Sequence, residues 1–230
     1  MKTATLLFSV FAVAVLAASP VLAGNGGVRL SWDDCAPLVV NKDFTTNTVY
    51  TLVMSISNSD TENNGHRTLV KVGNNIQEAW QFWSLGCQDG QLAISNSAVS
   101  KACPAFMGSD PLGINLFKDE NDGTASLDAA NTYDNFAPLA GQRYTLYKAS
   151  FDHAFSVAGD GNPVLVCRFA GDQLCFAVTK TEMLLVDRST EPIGIDGGFV
   201  SWNDPQNELQ CPGAIQVQNQ SWGRVKGLYR

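Results

Sequence analysis

Tyr50-Thr51-Leu52-Val53-Met54-Ser55-Ile56-Ser57 alternates large apolar residues with smaller or polar ones at period two. On an extended strand that period sends Tyr50, Leu52, Met54 and Ile56 to one face and Thr51, Val53, Ser55 and Ser57 to the other. One face therefore seeks a core. The polar run from Asn58 to Gly65 reads as a turn, and Thr68 to Val72 as the returning partner of a hairpin.

The same pattern recurs toward the C-terminus. Thr145, Tyr147, Ala149 and Phe151 share one face of a strand, and Val164–Ala170 and Leu174–Thr179 flank Gly171-Asp172 as a second hairpin. Met183–Val186 and Phe199–Trp202 supply two more strands, separated by Pro192, Gly194, Gly197 and Gly198. Short strands interrupted this regularly predict a mostly β chain folded as an antiparallel β-sandwich.

Three segments predict helix or coil. In Asn75–Trp83, the residues Ile76, Ala79, Trp80 and Trp83 recur at helical spacing, Asn75 with Glu78 resembles a capping box, and Gly86 ends the run. This predicts a short helix packed on the sheet. Between Asp110 and Gly141 the chain is rich in Asp, Asn, Gly and Ala, which reads as a long excursion between strands and the first place to seek a ligand loop. The terminal Trp222–Arg230 puts Trp222, Val225 and Tyr229 on one side, but its two glycines weaken a helix. It is expected to dock by its aromatics.

Lys2, the apolar run Leu6–Ala18 and Ser19-Pro20-Val21-Leu22-Ala23 match the three parts of a secretory signal peptide, with cleavage after Ala23. Residues 24–230 then form a single β-sandwich domain, tail included, with no repeat or low-complexity linker to divide it. Losing Lys2 takes the formal charge from −7 to −8. Acidic residues are scattered and no basic stripe exists, so nucleic acid is set aside, as is insertion into a membrane. The expected location is extracellular or periplasmic. All six cysteines, Cys35, Cys87, Cys103, Cys167, Cys175 and Cys211, follow the leader, and in an oxidising compartment an even count predicts disulfides. No paired C-x-x-C occurs and His66 and His153 are far apart, so no metal or cofactor is expected.

Leu30-Ser31-Trp32-Asp33-Asp34-Cys35, Trp80-Gln81-Phe82-Trp83 with Gly86-Cys87 and Ala102-Cys103, and the ending Trp222-Gly223-Arg224-Val225-Lys226-Gly227-Leu228-Tyr229-Arg230 together resemble a family of secreted bacterial proteins that brings no activity with it. The resemblance spans nearly all of the chain after the leader and implies export. In that family a cysteine often follows the first aromatic residue past the first cysteine, whereas here Phe44 precedes Thr45 and Thr46. The resemblance thus removes the usual near partner of Cys35 and implies the pairs Cys87–Cys103, Cys167–Cys175 and, from what those leave, Cys35–Cys211.

Chemistry is sparse. His153 beside Asp152 is a candidate base, yet neighbours on a strand point to opposite faces. His66 sits in a polar turn. No serine stands in a G-x-S-x-G elbow. Asp33 and Asp34 diverge on a strand, and Asp119, Glu120 and Asp122 read as solvated loop acids. Asp60–Gly65 opens like an EF-hand loop, but its twelfth position is Lys71, where a bidentate Glu is needed. Of five tryptophans, Trp32, Trp80, Trp83 and Trp222 read as core or anchors, and Trp202, between Ser201 and Asn203-Asp204-Pro205, as the ligand platform. These observations predict a non-catalytic extracellular module that binds a glycan or a protein partner through loops. A secreted hydrolase with dispersed carboxylates and a structural envelope or matrix protein are the alternatives.

Overall fold

The computed structural model describes residues 27–45, 48–57, 62–73, 75–106, 112–139, 141–156, 167–168 and 170–204. The leader, Asp60, Thr61, Val164 to Val166, Cys211 and the tail from Trp222 lie outside the described residues. Twelve strands are described: β1 (Gly27–Trp32), β2 (Asn41–Lys42), β3 (Val49–Ser57), β4 (Asn63–Gly73), β5 (Leu92–Ser95), β6 (Leu112–Asp119), β7 (Ala125–Phe136), β8 (Arg143–Asp152), β9 (Leu174–Leu185), β10 (Thr190–Pro192), β11 (Gly194–Ile195) and β12 (Phe199–Trp202). They form two sheets of a sandwich. One runs β11-β1-β3-β8-β5 and the other β2-β12-β9-β4-β7-β6, with β10 also on β9.

β3 forms as its alternation dictates. Tyr50, Leu52, Met54 and Ile56 are buried in the main core, which also takes Val70 and Val72 from β4 and Phe176 and Val178 from β9. The expected hairpin between β3 and β4 does not form. β3 pairs with β1 and β8, while β4 crosses to the other sheet and pairs with β7 and β9. Both strands carry an apolar stripe, and facing one another across the sandwich buries both stripes at once.

In β8, Tyr147, Ala149 and Phe151 face the core, but Thr145 does not share that face. Met54 pairs with Tyr147 and Ser55 with Thr145, so Leu146 is the extra residue of a bulge. Beyond it the alternation reverses, and Thr145 donates its hydroxyl to the Cys103 carbonyl on the outer side (3.0 Å).

Three further expectations are corrected. β9 lies between β4 and β12 in place of the expected hairpin, and of Val164–Ala170 the described residues Cys167, Arg168 and Ala170 are outside any strand. The helix over 75–83 shrinks to one 3-10 turn at Glu78–Trp80, because Asn75 adopts φ 63° and Ala79 N–H donates to the Arg168 carbonyl (3.1 Å), across the chain. The region 110–141 is a hairpin of β6 and β7, turning at Asn121 (φ 59°) and Gly123 (φ 81°). Its small residues Ala125 and Ala129 are fully buried; their low strand propensity hid a strand that packing demands.

The disulfides also differ from the expected pairs. Cys35 bonds Cys103 and Cys87 bonds Cys167. Cys175 is disulfide-bonded as well, and Cys211 lies outside the described residues. Each observed bond crosses between segments remote in sequence. Cys35 follows β1 and Cys103 precedes the bridge of Ala105 to Thr145, so this bond clips a cover over the outer face of β3, where Val53 is buried against both cysteines. Cys87 and Cys103 cannot meet in the same way, since β5 carries the chain along the sheet edge between them.

Candidate functional site on the open side of the sandwich

The residues singled out from sequence mostly serve the fold. Trp202 is 0% exposed, because β12 is hydrogen-bonded between β2 and β9 and its alternation turns the indole inward. Its ring NH donates to the Ala170 carbonyl (2.7 Å), and it meets Tyr50 and Trp80 edge-on at 4.6 and 4.9 Å. It is a core residue, and of the polar neighbours that suggested a platform, Asn203 donates its amide to the same Ala170 carbonyl (3.2 Å) while Ser201 and Asp204 are buried. Trp32 and Trp80 are buried as expected.

His153 stacks on Trp202 at 5.6 Å and lies 4.7 Å from Trp80 and 5.2 Å from Phe82. Burial lowers its pKa to about 4, with the Ala79 backbone opposing. His66, expected to be solvated, is instead buried between Phe106 and Tyr133, and burial lowers its pKa to about 4 as well. Both rings are neutral and enclosed, so neither meets a substrate. The pairing of β4 with β7 and β9 closes over His66.

The acids are engaged locally. Asp33, at φ 65°, pairs with Lys42 (2.5 Å). Asp34 accepts from Cys35 N–H and the Ser100 hydroxyl. Asp119 accepts from Asn121 N–H, Glu120 from Ser126, and Asp122 from Thr124. Those hydroxyl bonds hold the Glu120 and Asp122 carboxyls below the usual range. Among the described residues no group of three His, Cys, Asp or Glu could hold a metal ion, and no helix is long and apolar enough to cross a membrane.

An open groove lies where the two sheets end together. β5 is the last strand of one sheet and β6 the last of the other. Between them runs a groove of about 370 Å³, lined by Phe82, Trp83, Leu92, Ile94, Leu116 and Phe117 with Ser84, Asp89 and Gly90 at its rim. Trp83 is half-buried and lies parallel to Phe117 (10°, 6.2 Å). Leu116 is 47% exposed.

One loop builds the rim. Gly86 N–H donates to the Trp83 carbonyl (2.9 Å), Asp89 N–H to Gly86 (3.1 Å) and Gln88 N–H to Gln81 (2.9 Å). A Cβ at Gly86 would sit 2.3 Å from the Gln81 carbonyl oxygen, so only glycine fits. The Cys87–Cys167 bond and the buried Gln88 amide on Ser156 (2.8 Å) fix the loop below. Held this way, Leu85 takes φ 67°, donates its N–H to Asp89 Oδ2 (2.9 Å), and presents a side chain 96% exposed. A leucine in left-handed backbone is uncommon and costs on the order of 1 kcal/mol. Sequence reasoning missed this site because it placed Trp83 on the inner face of a helix. An apolar Leu85 stranded between Ser84 and Gly86-Cys87 is the signal that would have found it.

No family model and no curated protein sequence matches the chain. Among solved structures it is similar to a type II cohesin domain from the cellulosome of Acetivibrio cellulolyticus, at 9% identity and TM-score 0.43 over 78% of this chain and 95% of that one. It is also similar to a cohesin module of a Clostridium perfringens family 33 glycoside hydrolase, at 10% identity and TM-score 0.39 over 77% and 96%. The major pilin subunit of Bacillus cereus gives 9% identity and TM-score 0.31 over 77% and 38%. At these levels the likeness is to a β-sandwich and carries no functional argument.

Proposed function

We propose that this protein is an exported, non-catalytic binding module that docks a protein partner on the open side of its sandwich, through Leu85 and the groove beside it. The observation that carries the reading is Leu85: a fully exposed leucine in strained backbone, held by a disulfide, a buried amide and the Asp89 carboxylate. Strain of that kind persists where surrounding structure enforces it, and it clusters at binding surfaces. The groove beside this loop matches an interface core, apolar at the centre with polar atoms at the rim. The two histidines are enclosed and the weighed acids are engaged by Lys42, Ser100 or their own turns, which supports binding in preference to hydrolysis.

A glycan in the same groove is the second reading, favoured by the half-buried Trp83 ring beside Ser84 and Asp89. Both are tested by immobilising wild type, Leu85→Asp, Trp83→Ala and Glu191→Ala and exposing each to the extracellular fraction of the source cells and to a glycan array. A protein retained by wild type and Glu191→Ala, and reduced about tenfold or more by the other two, is the expected result. Glycan binding lost only in Trp83→Ala would favour the second reading, and equal retention by all four would contradict both.

A further inference from the structure

Resting on that docking reading, we propose that the partner contributes an extended segment that pairs as an added strand along the outer edge of β6. β11 and β2 have two residues each and β5 has four. β6 has eight, paired to β7 in unbroken register from Leu112 opposite Thr132 to Asp119 opposite Ala125. Among the described residues no strand pairs with its other side.

Natural sheets guard an edge by keeping it short, by bulges, by proline or by charge. β6 is long, lacks bulge and proline, and carries charge only at its last two residues, Lys118 and Asp119. Half the backbone N–H and C=O groups of an edge strand point outward, where another extended chain satisfies them in a regular ladder. A sugar or a helix does not.

The groove completes the match, because it lies directly beside this edge. Leu116 and Phe117 belong to β6 and line it together with Trp83, Leu92 and Ile94, so apolar side chains at every second position of an incoming strand find a place there. Among the described residues Asp89 is the only charged one of that lining, on a chain of formal charge −7. The incoming segment is therefore apolar at alternate positions and carries a basic residue near the rim.

The test pans a random octapeptide display library on wild-type protein and on Leu116→Lys and Leu116→Thr, both at an exposed position, with unfolding midpoints confirming that each variant is folded. Enriched peptides are expected to alternate apolar residues, to bind Leu116→Lys about tenfold or more weakly, and to slow hydrogen exchange of the β6 backbone amides. N-methylation of their backbone should abolish binding at one alternating set of positions and not the other. Peptides that protect the 83–90 loop but leave β6 amides unprotected would overturn strand addition while leaving the docking reading intact. Failure of any peptide to enrich overturns it too. So does a wild-type dimer that Leu116→Lys converts to monomer, since the occupant would then be a second copy.

Discussion

His153 and Trp202 lie nearly parallel in the core, 20° apart, and this contact explains why neither serves as a surface group. A neutral imidazole in an aromatic cage costs less than a charged one, which loses its hydration without a counter-ion. Both histidines have folded pKa values lowered from 6.5 to about 4 by burial. The unfolded chain therefore binds more protons between those values, and stability is complete above pH 6.5 and falls as pH drops through the window. The loss is on the order of 3 kcal/mol per histidine. Urea midpoints should fall across that range, and His153→Phe should flatten the fall by about half, one of two equivalent contributions. A midpoint independent of pH in this window would contradict the burial of both rings. The sequence showed that His153 and Asp152 part company on a strand. It did not show that His66 is buried, because that depends on β4 lying between two strands remote in the chain.

At the level of elements, legibility followed side-chain bulk. β3, β8 and β12 were readable since aromatic and branched residues at period two have few other solutions. β7 was not, as alanine, asparagine and aspartate carry weak strand preference; in β6, Leu112, Ile114 and Leu116 do recur at period two, with Gly113 and Asn115 between them. Pairing was less visible still, because which strands meet is decided by the burial of whole faces. The disulfides illustrate this: Cys35–Cys103 spans 68 residues and covers Val53 on the outer face of β3. Closing a loop of that length constrains the unfolded chain by about 4 kcal/mol. Cys35→Ser with Cys103→Ser should lower unfolding free energy by about that amount and raise hydrogen exchange in β3 and at Thr145. An unchanged urea midpoint would show that the outer cover does not depend on the clip.

Over the whole molecule, one end of the core is filled by Trp32, Tyr50, Trp80, Phe151, Phe176 and Trp202, which makes the sandwich rigid there and leaves its function to the edges. The site was almost illegible in sequence. Trp83 and Leu85 resemble core residues until the 3-10 turn ends early and the loop lifts them to the open side, a consequence of contacts with Arg168 and Cys167 some eighty residues away. The central claim is that this open side is where a partner sits. It is tested most directly by replacing Leu85 with a photo-reactive amino acid in the full chain, irradiating it in its native setting, and repeating the experiment at Glu191, on β10 beyond β9, β4 and β7. The account predicts one discrete adduct at position 85, absent at 191 and lost when Trp83→Ala is added. No adduct at 85, or the same adducts at both positions, would contradict it.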